Sequence, residues 1–509
     1  MKRLIAIIGV AVLVCGIFSA CKGSDFKVPE NLMTTDEYHA ELENLLKVEN
    51  LSVATEEYYK KLDELDRRLE EQIVYNTDDV TECEGTKYYV SNSGNDENDG
   101  KSPKNAWATL EKVNLCRELK KGDLVLFERG GVYRGYVSPQ SGVTYAAYGE
   151  GPKPQIRASI DGKADCTWEK TEYENVWKRT PNEKQIQKDM GFVLLKKDGE
   201  EICCVQKTKM SALKENYQFV FAGTTLKEGK RDFCVYLYYD GGNPGEVFDE
   251  IDLPSQNSVF DEGNIYIEDV HLNNLALLYG TGPFWPGDCK DISVTYCECR
   301  WSGGFADEAG GTRYGGGGGC WGSCDVFIWD HCLIYQQWDS GVSPQFKGPH
   351  DGIVNFKDLQ VTNCMFKGVK WPLEYWLDQG TTEEDKIEGM IFNYNMCRDG
   401  DKGFNTNRGD ASYIKSWGYQ NTCYNCEIMH NVFDRAPGRT LEIGGHIFKN
   451  GKSVISDDHI PKLGNNLYIQ KQNKRFALIN AHDYKFNDAG LEEYMKSGYD
   501  TDSVFLYAD

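Results

Sequence analysis

The sequence predicts an all-β protein: a solenoid of the parallel β-helix type, with an inserted β-rich subdomain and an N-terminal helical spacer. Two repeats in the C-terminal half carry that expectation. The first aligns Ile267-Glu268-Asp269, Val294-Thr295-Tyr296, Ile328-Trp329-Asp330, Val361-Thr362-Asn363, Phe392-Asn393-Tyr394 and Ile428-Met429-His430, at spacings of 27, 34, 33, 31 and 36 residues. Short apolar strands recurring at such a period indicate a solenoid. The leucine framework of leucine-rich repeats is absent, and a propeller blade would need roughly 40 residues or more. The segments also lack the 3.6-residue periodicity of helical repeats.

The second repeat aligns Val342-Ser343-Pro344-Gln345, Leu373-Glu374-Tyr375-Trp376, Phe404-Asn405-Thr406-Asn407 and Leu441-Glu442-Ile443-Gly444. Successive side chains of an extended strand point to opposite faces. The first and third positions therefore point inward, and the second and fourth outward. Stacked strands would present one outward row reading Ser, Glu, Asn, Glu and another reading Gln, Trp, Asn, Gly. A row with two carboxylates beside a tryptophan suits a carbohydrate-processing groove.

From the N-terminus, Lys2 and Arg3 precede the apolar run Leu4 to Val14, with small residues before Cys21. The run is short for a membrane span. It resembles a bacterial lipoprotein signal, although Phe18 stands where leucine is usual. That implies cleavage after residue 20, acylation of Cys21 and a lipid-anchored protein at the cell surface or in the periplasm. Residues 21–80 read as the lipidated helical spacer, because Leu42, Leu45, Leu46, Leu62, Leu65 and Leu69 recur at helical spacing.

At Tyr88 the character changes. Tyr88-Tyr89-Val90-Ser91-Asn92-Ser93-Gly94-Asn95-Asp96 leads through Ala106-Trp107-Ala108-Thr109-Leu110 and Gly122-Asp123-Leu124-Val125-Leu126-Phe127 to Gly130-Gly131-Val132-Tyr133. This succession resembles the N-terminal cap and first coils of secreted bacterial right-handed parallel β-helix proteins of the pectate-lyase-like superfamily. The resemblance implies a right-handed helix with its cap and first coils over residues 88–156. It implies little about chemistry, because that superfamily holds lyases, hydrolases, esterases and binding proteins. Between residues 157 and 260 the coil rhythm is lost, and Trp168, Phe192-Val193-Leu194-Leu195 and Cys234-Val235-Tyr236-Leu237-Tyr238 read as short strands of the insertion. That insertion, ending in Asn243-Pro244, bears a looser resemblance to relatives of glycoside hydrolase family 141. Residues 261–509 then supply the remaining coils, the groove and a C-terminal cap.

The net charge of −23 argues against nucleic acid and anionic lipid surfaces as partners. It also mildly favours a neutral glycan over a polyanion. A monomer is expected, touching the membrane only through its lipid. Of eighteen cysteines, Cys297, Cys299, Cys332, Cys364 and Cys397 fall in or beside repeated strands and read as stacked buried thiols. Cys320-x-x-x-Cys324 and Cys423-x-x-Cys426 each lack the second pair of a zinc site, so no metal is expected.

Glu374 and Glu442 are the expected acid/base pair. Two coils apart, their backbones would lie roughly 10 Å from each other, near the 6.5–9.5 Å that inverting glycosidases use. Asp339 is the substitute if either is wrong. Trp376 would stack a sugar ring, Gln345, Asn405 and Asn407 would contact hydroxyls, and His350 would reach over the groove. A polysaccharide lyase is the alternative enzyme, with a basic residue abstracting a proton and calcium neutralising a uronate. Lys347, Lys370, Arg408 and Arg439 flank the strands but stand outside the aligned rows, which favours hydrolysis and no cofactor. A non-catalytic glycan-binding or adhesive β-helix is the alternative from another class.

Overall fold

A computed structural model describes residues 26–508, apart from residues 165–166, 180–189, 223–233, 256, 262, 264, 307–312, 347–351, 378–384, 406–410, 419–422, 445–446, 449–450, 453–455 and 501. The lipidation candidate Cys21 and the groove candidates His350 and Asn407 lie outside the described residues. The chain divides into two compact units, residues 159–255 and the remainder of the described chain.

The larger unit is mostly β and is built on large parallel sheets. The chain visits three of them in fixed rotation. One circuit runs Asn355–Thr362, Met365–Lys367 and Trp371–Leu377; the next Ile391–Asn393, Met396–Arg398 and Ser412–Gly418; and the next Glu427–Met429, Val432–Asp434 and Arg439–Ile443. Each strand pairs in parallel with its equivalent one circuit on. The strands Lys87–Val90, Leu124–Glu128 and Thr144–Tyr148 join the first sheet in parallel, with Trp107 and Leu110 packed into the same core.

Why the chain turns where it does is written at the corner after the first sheet. Asn274, Tyr296, His331, Asn363, Tyr394, His430 and Asn465 all adopt left-handed backbone there. Their spacings are 22, 35, 32, 31, 36 and 35 residues. The aligned repeat matches this row at Tyr296, Asn363, Tyr394 and His430. It misses at Asp330, one residue early because His331 holds the turn, and at Asp269, five residues early because Leu272 pairs with Val294.

Directly after the corner, a buried asparagine ladder fixes the stacking. Asn395 Nδ2 donates to Val361 O at 2.9 Å, Asn431 Nδ2 to Phe392 O at 2.8 Å, and Asn466 Nδ2 to Ile428 O at 2.9 Å. Each is satisfied, as buried amides must be. In earlier circuits Cys297, Cys332 and Cys364 occupy the equivalent places, and with Cys299 and Cys397 they are buried in the core.

The segment expected as a spacer is helical but is not a stalk. Helix α1 (Thr35–Leu45) opens with a capping box between Thr34 and Glu37, and α2 (Glu56–Val74) with Thr55 as N-cap. A spacer would keep its faces in water; these helices bury Tyr38, Leu42, Leu62, Leu65, Leu69 and Ile73. Tyr38 Oη donates to Tyr394 O at 2.9 Å, and His39 stacks on Tyr394 with ring centroids 3.6 Å apart. From α2, Asp66 and Glu70 pair with Lys367 at 2.7 and 2.5 Å, and Asp63 with Arg398 at 2.8 Å.

The smaller unit holds a five-stranded sheet, whose strands include Val176–Arg179, Gln218–Ala222 and Cys234–Tyr238. Alternation gives it two faces. Phe219, Val235 and Leu237 join Trp168, Val193, Leu195 and Ile251 in its core, while Tyr236 and Tyr238 lie on the other face against Val176 and Val220.

Candidate active site

The third sheet carries the candidate site. Its order is Gly318–Cys320, Ser340–Phe346, Trp371–Leu377, Ser412–Gly418, Arg439–Ile443 and Arg475–Ile479, followed by His482–Lys485. Val342, Leu373, Tyr375, Ile414, Leu441 and Ile443 all enter the core. Alternation therefore turns Ser343, Glu374, Lys415 and Glu442 away from it. Register aligns them: Val342 pairs with Leu373, Glu374 with Lys415, and Lys415 with Glu442. The adjoining positions are Gln345, Trp376 and Trp417.

This arrangement corrects the third aligned stretch. The strand between Trp371–Leu377 and Arg439–Ile443 is Ser412–Gly418, not the stretch that begins at Phe404. Asp399, in left-handed backbone, and the turn Gly400–Lys402 carry the chain off the second sheet. Phe404 then packs on Trp301 and Trp338 with ring centroids 5.6 and 5.4 Å apart. Asn405 is fully buried, its Nδ2 donating to the Gln337 and Trp338 carbonyls at 3.2 and 2.8 Å. An amide so completely buried cannot reach a substrate hydroxyl. Asp339 is half-buried and lies opposite Lys370 by register, four residues before Ser343. That is roughly 13 Å along the strand, so Asp339 is no close partner for Glu374.

The residue the alignment missed is Lys415, and the signal was available. Ile414-Lys415-Ser416-Trp417 repeats the form of Leu373-Glu374-Tyr375-Trp376 more closely than residues 404–407 do. Lys415 Nζ lies 2.9 Å from Glu442 Oε1. The expectation that the row is acidic without a base therefore fails: a lysine stands between the two glutamates.

Both carboxylates are well held. Glu374 faces away from the core yet is only 6% exposed. Its Oε2 accepts hydrogen bonds from Ser343 Oγ at 2.9 Å and Gln345 Nε2 at 3.1 Å. Glu442 Oε2 accepts from Ser412 Oγ at 3.1 Å, with Arg439 Nη1 at 3.8 Å. Trp376 is half-buried beside Gln345. At one end of the row Gly319 pairs with Ser343. A Cβ there would fall 1.9 Å from Ser343 O, so glycine is what lets the two strands approach. Chemically, the row offers two fixed carboxylates, an ammonium between them, and hydrogen-bonding groups beside an indole.

Away from the row, Asp269, His271 and Asp291 on the first sheet bring ligand atoms within 4.8 Å of one another. Asp269 is already paired with Lys121 at 2.8 Å, and His271 Nδ1 lies 2.8 Å from Ser293 Oγ. Those partnerships leave the trio poorly suited to a cation.

No protein family matches the chain, and no curated protein matches it. Among solved structures it is similar to XylC in complex with xylose, at 13% identity over 83% of each chain and a TM-score of 0.45. The native GH136 lacto-N-biosidase from Eubacterium ramulus is 12% identical over 95% of this chain and 82% of its own, with a TM-score of 0.30. A glycoside hydrolase is 10% identical over 83% of this chain and 96% of its own, with a TM-score of 0.35. Likenesses this distant carry no argument about chemistry.

Proposed function

We propose that this chain is a right-handed parallel β-helix acting as a glycoside hydrolase on a polysaccharide or glycan, with Glu374 and Glu442 as its acid/base pair. The observation that carries the reading is the row itself. Two carboxylates share one register position on strands either side of Lys415, beside Gln345 and Trp376. Structural glutamates on a strand need no such company, whereas hydrolysis needs two carboxylates in different electrostatic settings. Glu442 is tied to an ammonium and fits the partner that must be ionised to activate water. Glu374 is only 6% exposed, and burial penalises the charged form of a carboxyl, so it fits the proton donor. Their backbones, two strands apart, stand roughly 10 Å from each other, which suits inversion better than the 5–5.5 Å of a retaining pair.

Lys415 has the residue type a lyase base requires. Its Nζ is engaged by Glu442 at 2.9 Å and its side chain is almost wholly buried, so it is poorly placed to meet a substrate, which supports hydrolysis. Incubation with a panel of neutral and uronate-containing glycans tests the reading. New reducing ends without unsaturated product are expected. Absorbance of unsaturated ends would make it a lyase, and retention without product a binding protein. The proposed surface anchor is tested separately. Cys21→Ser should move the protein from the membrane to the soluble fraction, and unchanged fractionation would contradict lipidation.

A further inference from the structure

We infer that the smaller unit carries a second glycan-binding site, distinct from the Glu374 row, on the outer face of its five-stranded sheet. Four neighbours line up across antiparallel strands on that face: Glu169, Lys178, Tyr236 and Val220. They border a cavity of about 710 Å³, with Tyr173 and Met210 at its margin. The opposite face is committed to the core through Phe219, Val235 and Leu237. Beside the row, Leu213 and Met210 pack on Val176, Tyr236 and Tyr238.

Tyr173 makes the face look built for a ligand. It is 50% exposed, and its backbone is held in the turn between Glu169–Lys170 and Val176–Arg179. Its N–H donates to Thr171 Oγ1 at 3.2 Å, Thr171 Oγ1 donates to Val176 O at 2.8 Å, and Val176 N–H donates to Tyr173 O at 3.2 Å. An exposed aromatic on a fixed turn loses little entropy when a ring stacks on it. Tyr236 is half-buried, with Lys178 Nζ 5.9 Å from its ring centroid.

The lining chooses the occupant. A sugar ring has an apolar face for a tyrosine and a rim of hydroxyls that both donate and accept. Glu169 accepts and Lys178 donates, on adjacent strands at one register position. Lys170, Lys178 and Lys209 outnumber Glu169 and Glu172 around the cavity, in a chain of net charge −23. That suits a glycan bearing occasional uronates, and it is a local setting in which the overall charge does not repel one. A peptide helix or lipid would need a continuous apolar groove, which these charged residues interrupt.

The test uses the full chain carrying Glu374→Gln, so that turnover does not consume the probe. It is applied to an array of neutral and uronate-containing oligosaccharides, with and without Tyr173→Ala and Tyr236→Ala. Retention is expected, and the two tyrosine changes together should weaken it at least tenfold. Tyr236→Trp should retain binding, since it keeps a stacking surface. In the chain with Glu374 intact, the tyrosine changes should leave turnover of a short soluble substrate unchanged. Retention indifferent to both tyrosines, or none on any oligosaccharide, overturns the inference. Loss of turnover of the short substrate on changing the tyrosines would likewise overturn it, because the face would then not be distinct from the Glu374 row.

Discussion

Replacing Lys415 with methionine isolates the most consequential contact in the row. The side chain is almost wholly buried, and its Nζ sits 2.9 Å from Glu442 Oε1. At an effective dielectric of about 20, two unit charges at that distance attract by about 6 kcal/mol. Part of that gain offsets the desolvation of both ions. Removing the ammonium relieves its own desolvation but strands a buried carboxylate. Ser412 remains at 3.1 Å, and Arg439 at 3.8 Å while also facing Asp483 at 3.4 Å. These compensate in part, so the expected cost is about 3 kcal/mol, the lower end for breaking a buried pair. Glu442→Gln alone should cost a comparable amount by leaving Lys415 opposite a neutral amide. The double change, Lys415→Met with Glu442→Gln, should cost less than the sum by about 1–3 kcal/mol. Equilibrium urea unfolding of the four proteins closes the cycle. A Lys415→Met protein within 1 kcal/mol of the wild type, or strict additivity, would refute the argument. The consequence for function is direct: outward direction alone does not make Glu442→Gln harmless to the fold, so its activity must be compared at equal folded fraction.

Glu374→Gln keeps the shape of the side chain and should lower kcat by about 10²–10⁴-fold, the usual worth of a positioned acid or base, measured at equal folded fraction; near-normal turnover would end its assignment. Lys367→Met should cost at least about 3 kcal/mol, because Asp66 and Glu70 of α2 would lose their shared cation at 2.7 and 2.5 Å; a cost below 1 kcal/mol would mean that α2 docks by its apolar face alone. Burial alone would raise the Asp330 carboxyl, but His331, Thr362 and Asn363 together hold it below the usual carboxylate range. A value depressed by folding contributes stability that is full above the unfolded carboxylate value near pH 4 and is lost as pH falls through the folded value. Asp330→Asn should therefore flatten the stability profile between about pH 5 and pH 3, and an unchanged acid slope would remove Asp330 from that account.

The all-β class and the parallel stacking were legible because they rest on average features: strand alternation, and a period of about thirty residues that survives small errors. Single registers were not, because a corner residue can be any side chain that tolerates left-handed backbone. Asn274 and His331 hold the corner as well as Asn363 does, so the composition of a triplet does not mark it. The same weakness produced the error at residues 404–407. Phe404-Asn405 has the right apolar-polar form, but its phenylalanine serves an aromatic cluster with Trp301 and Trp338 while the strand comes eight residues later. Burial of the helices was hidden for a different reason. The amphipathic stripe of α2 announces that something covers it, and only the fold reveals that Lys367 and Arg398 await its carboxylates. At the site, Glu374 and Glu442 survive the correction because their strands were placed independently of the one between them. What changes is their chemistry. A row read as acid–amide–acid becomes acid–lysine–acid, and the two glutamates are held differently: Glu374 accepts from Ser343 and Gln345, while Glu442 is paired with Lys415 and accepts from Ser412. That difference, set by Lys415, is what the proposed division into an acid and a base rests on.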